Sequence, residues 1–84
     1  MEFPKLSNNQ IAVIIADGET GAILKVNGEL FKNDSLESAY LIFDSLTLAK
    51  EFIQIQSSLN DRIEFVIYDK EQNVVEYIKA SYWE

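Results

Sequence analysis

The chain contains no cysteine and no histidine. Without cysteine there is no disulfide, no thiolate nucleophile and no sulfur ligand for a metal. Without histidine, the commonest general base near neutral pH and the commonest metal-binding side chain are both missing. Arginine occurs once, at Arg62, and the seven basic residues face fourteen acidic ones, for a net charge of -7. Contact with DNA or RNA phosphates needs clustered Lys and Arg, so this balance argues against a nucleic-acid ligand. Long apolar runs are missing as well. The longest, Ile11 to Ala16, is far short of the ~20 residues of a membrane-spanning helix. No basic stretch feeds an apolar run near Met1, so no signal peptide is visible, and a cytoplasmic protein with no membrane contact is expected.

What is present is the material of a small core. The 84 residues are 48% hydrophobic and 12% aromatic, which excludes disorder as the main state and leaves room for one domain, 1–84. The polar segment 1–10 reads as an N-terminal arm and 80–84 as a C-terminal tail.

Periodicity sets the elements between them. Ile11 to Ala16 is β-branched and continuous, the pattern of a strand buried on both faces. Asp17-Gly18-Glu19-Thr20-Gly21 is turn chemistry. Ala22 to Val26 reads as a second strand. Asn27-Gly28 has the composition of a two-residue type I′ hairpin turn, returning through a third strand at Glu29 to Lys32. Tyr40 to Phe43 reads as a fourth strand.

The spacing then becomes helical. Leu48, Phe52, Ile55 and Leu59, flanked by Ala49 and Ile53, predict an amphipathic helix over about 46–58. Asp44 or Ser45 would cap it. Ile63 to Tyr68 and Val74 to Ile78 are two more strands, joined by a loop in which Asn73 is best suited to the left-handed conformation. The expected fold is α+β: an antiparallel sheet of five or six strands, arranged as a meander, a helix on one face and a C-terminal hairpin.

One helix covers one face. Placing Ile63, Phe65, Ile67, Val75 and Tyr77 toward it, with Leu41 and Phe43, sends Glu64 and Glu76 outward. The other face then carries Tyr40, Ile42, Val66, Tyr68, Val74 and Ile78, more apolar surface than water should meet. Such a patch marks an interface unless the chain's own arm or tail lies across it. Tyr40, Ile42, Val66, Tyr68 and Val74, with Trp83 as an anchor from the tail, are the candidate interface residues.

No residue pattern carries catalysis. Asp17, Asp44 and Asp69 each end a strand-like segment, and converging carboxylates could bind a cation. Turn and cap roles account for each of them, however, and no catalytic, metal or cofactor site is expected. The serines have no histidine to activate them and no G-x-S-x-G turn. Arg62 is expected to pair with Asp61 or Glu64 on the surface.

These readings favour a non-enzymatic, acidic protein-binding module that docks on a protein, basic or otherwise, through the sheet face away from the helix. By size and charge alone it is comparable to inhibitor, immunity or anti-defence proteins. A self-associating homodimer is an alternative. A ligand-binding protein or enzyme with a pocket between helix and sheet is another, and it would need a polar cluster there.

Overall fold

The computed structural model describes residues 3–24 and 39–81. The Asn27-Gly28 turn, the strand at 29–32 and Trp83 lie outside these residues. Five strands and one helix are described: β1 (Ile11–Asp17), β2 (Ile23–Leu24), β3 (Leu41–Phe43), α1 (Leu46–Leu59), β4 (Ile63–Tyr68) and β5 (Val74–Ile78). This is the expected α+β fold, with every strand pairing antiparallel.

The continuous run Ile11 to Ala16 forms the central strand, and all six residues are buried. One edge of β1 is shared. Its first half pairs with β3, Ile11 opposite Phe43 and Val13 opposite Leu41, and its second half pairs with β2, Ile15 opposite Leu24. The other edge pairs with β4 from Ala12–Tyr68 to Asp17–Ile63. β3 and β4 are both antiparallel to β1, so they run in the same direction with β1 between them. A tight turn cannot join two such strands, and α1 makes the crossing over one face.

That face holds the core. Ile11, Val13 and Ile15 of β1 and Ile63, Phe65 and Ile67 of β4 point at Ala49 and Ile53 of the helix. Phe43 and Phe52 close one side, with ring centroids 5.1 Å apart. Ser45 is the N-cap: its side chain accepts from the Leu48 N–H at 3.2 Å. No described helix is long and apolar enough to cross a membrane.

The helix sits rotated from the orientation its apolar spacing predicts. Ala49 and Ile53 face the sheet, while Leu48, Ile55 and Leu59 are exposed. Ala49 and Ile53 make the buried contact, with Phe52 packed beside them, and the Leu48–Ile55–Leu59 stripe is left exposed.

β5 also departs from simple alternation. Ile67 pairs with Glu76 and Tyr68 with Val74, so Val75 is an extra residue in the ladder. Such a bulge reverses the facing of everything beyond it. Ile78, opposite Phe65, therefore packs on the helix side, where the sequence placed Tyr77. Tyr77, opposite Val66, turns to the other face, and Glu76 turns toward the helix and meets Lys50 at 2.9 Å.

The turn before β5 has a second difference. Gln72, not Asn73, takes the positive φ, at 64°. Asp69 and Asn73 already form the closing pair, with Asp69 N–H donating to the Asn73 carbonyl at 3.0 Å. The Gln72 N–H donates to the Asp69 carbonyl at 3.0 Å, so 69–72 is a turn within a three-residue loop. The third loop position is the left-handed one in that geometry.

Candidate interface on the sheet face opposite the helix

The register assembles this face row by row. Ile42, Ala12, Tyr68 and Val74 form one row across β3, β1, β4 and β5. Ile14, Val66 and Tyr77 form the next, and Ile23, Ala16 and Glu64 the one after. The β1 residues in all three rows are buried, two of them small alanines between larger neighbours. Exposure rises toward the sheet margins: Ile42 is 48% exposed, Val74 58% and Tyr77 53%. Val66, Tyr68 and Tyr40, which directly precedes β3, are half-buried. Five of the candidate residues thus share this face, and the bulge adds Tyr77 to them.

Part of the face is already occupied. Phe3 of the N-terminal arm packs edge-on against Tyr40 at 5.1 Å and against Tyr68 at 5.9 Å, and the two tyrosine rings are themselves 5.9 Å apart. Edge-to-face packing places the positive ring edge on the negative face of its neighbour. The arm that could have lain across the face does reach its aromatic centre, and it leaves Ile42, Val74 and Tyr77 exposed. Phe3 is the residue on this face that the sequence reading missed. The available signal was an aromatic ring in an otherwise polar arm.

Three polar groups at or near the face have hydrogen-bond partners. The Tyr77 hydroxyl donates to Glu64 Oε2 across β4 and β5. This bond to a carboxylate raises the Tyr77 pKa, because ionisation would break it and set two anions together. The Tyr40 phenol is raised too, first by burial and then by neighbouring Tyr68, with a side-chain hydrogen bond from Gln72 acting the other way. Asp69 is lowered, chiefly by the Asn73 backbone N–H that its carboxylate accepts at 2.9 Å.

The strand-end aspartates do not gather. β1 runs opposite to β3 and β4, so Asp17 lies at the far end of the sheet from Asp44 and Asp69. Asp17 Oδ1 holds the turn after β1, accepting from the Glu19 N–H at 2.8 Å and the Thr20 N–H at 3.2 Å. Gly21 completes that turn with φ 74°. Asp44 accepts from the Gln10 side-chain amide at 3.1 Å. Among the described residues no group of three or more Asp and Glu side chains is placed to hold a metal.

Arg62 pairs with Glu19, at 2.9 Å, rather than with its sequence neighbours. Both lie at the Asp17 end of the sheet, where the Gly18 N–H donates to the Arg62 carbonyl at 2.8 Å. A cleft of about 440 Å³ lies between the arm at Asn8–Ile11 and the hairpin loop at Asp69–Glu71, away from the helix–sheet seam. Across it, Lys70 donates to Asn8 at 2.7 Å. Comparison with protein-family models, with curated proteins and with solved structures returns no match.

Proposed function

We propose that this chain is a non-enzymatic binding module that docks through the sheet face opposite the helix onto a protein with an apolar contact surface and a basic rim. The supporting observation is the exposure of Ile42, Val74 and Tyr77 around the half-buried Tyr40, Val66 and Tyr68, on the side the helix leaves uncovered. Aromatic and branched apolar side chains in such a patch are the usual centre of a protein interface. The net charge of -7 favours encounter with a basic partner and opposes pairing of two copies. The lack of cysteine suits a reducing compartment, so the site of action is the cytoplasm. Occupying a partner's surface is how such a module would act as an inhibitor or adaptor.

The test is crosslinked capture from the native host, with Ile42→Asp and Val74→Asp compared with Ile55→Asp on the exposed helix stripe. The proposal expects one basic protein to be lost with the sheet variants and kept with the helix variant. Capture that ignores the sheet variants overturns it. So does a chain that sediments as a dimer and is split by Ile42→Asp, which would make the occupant a second copy.

A further inference from the structure

We infer that the N-terminal arm is a displaceable strap that covers the aromatic centre of this face until a partner replaces it. The inference rests on the docking reading of the face. The Phe3 ring occupies the place over Tyr40 and Tyr68 that a partner's side chain would take.

Beyond Phe3, the arm is held by the half-buried Pro4 and Leu6 and by exposed hydrogen bonds. Among the described residues, none from 3 to 10 pairs in the sheet. The arm turns at Ser7–Gln10, where the Ser7 N–H donates to the Gln10 side chain at 2.8 Å and Asn9 has φ 71°. Among the described residues, Gln10 to Asp44 and Lys70 to Asn8 also tether it. All of these bonds are exposed, so water can replace them at little net cost. Phe3, Tyr40 and Tyr68 lie outside the main core cluster, which packs on the helix side. Lifting the arm therefore leaves that core in place, the condition for local opening without global unfolding.

Both states have a use. Closed, the strap reduces the apolar area an unbound chain shows to water. Open, it exposes two aromatic rings already positioned on a rigid sheet. Affinity for a partner is then reduced by the fraction of time the strap is closed.

The test needs no partner. Nile red, a neutral dye that brightens on apolar surface, is titrated into the wild type, Phe3→Ala and Phe3→Ala/Tyr68→Ala, with circular dichroism and a thermal melt for each. Phe3→Ala is expected to raise dye emission and shift it to shorter wavelength, with the spectrum and cooperative melt preserved. The double variant is expected to return emission toward the wild-type level. Unchanged emission in Phe3→Ala, or loss of its cooperative melt, overturns the strap, the latter by making Phe3 part of the fold. Neither result bears on Ile42 and Val74, whose capture experiment tests the docking face separately.

Discussion

Lys50 on the helix reaches Glu76 on the edge strand at 2.9 Å. The two side chains are both about half exposed, and such a pair contributes only about 0–1 kcal/mol. Its interest is geometric, because Glu76 faces the helix only through the extra residue Val75. Deleting Val75 leaves Tyr68–Val74 and Ile67–Glu76 as consecutive pairs of a regular ladder. The deletion variant is expected to melt cooperatively near the wild-type temperature. Deleting Val66 instead, inside β4 and without a bulge, would reverse half of a buried strand and is expected to abolish the folded spectrum.

Core truncations should rank by burial. Phe65 is fully buried between β1 and β5 beneath the helix, and Phe65→Ala is expected to cost about 3–5 kcal/mol. Phe52 is half-buried, so its truncation should cost less. Leu48→Ala should cost least of the three, since that side chain is 48% exposed. Urea unfolding of the three variants checks the order, and a Leu48 effect equal to that of Phe65 would contradict the helix rotation.

The alkaline limb of stability should depend on Tyr77. Its pKa is raised in the fold above the ordinary 10.0, so the folded chain holds the proton more tightly than the unfolded chain. That contribution is fully present below pH 10.0 and is lost as pH rises through the folded value. Tyr77→Phe removes the hydroxyl, and its urea midpoint should fall less steeply over this range than that of the wild type. Tyr40 keeps its own share in both proteins.

Asp69 should govern part of the acid limb. Its carboxylate accepts from the Glu71 and Asn73 backbone N–H groups, each at 2.9 Å, and its pKa is lowered. The stability it supplies is present above the ordinary value of 3.8 and is lost as pH falls through the lower folded value. Asp69→Ala is expected to lower the melting temperature at neutral pH, with the gap to wild type closing at low pH. A constant gap down the acid range would mean the carboxylate charge plays no part in holding the hairpin loop.

Local pattern was enough for the long elements among the described residues. The Ile11 to Ala16 run reads as a buried strand and is one, the spacing after Ser45 reads as a helix and is one, and the alternation of Ile63, Phe65 and Ile67 gives the β4 facing that is found. Five candidate interface residues share one face for the same reason: alternation along β3 and β4, together with Val74 before the bulge, keeps its parity. Tertiary packing decided the rest. Whether Val75 is an ordinary or an extra residue depends on its neighbour strand, and that choice exchanged Tyr77 and Ile78 between faces. Which part of the apolar arc of α1 meets the sheet is likewise a tertiary outcome: Ala49 and Ile53 are buried and Leu48, Ile55 and Leu59 are not. The contact of Phe3 with Tyr40 and Tyr68 joins residues far apart in the chain, with no periodicity to announce it. A sequence carries the short-range repeat that makes strands and helices, whereas long-range contact is settled only when their surfaces compete for one another.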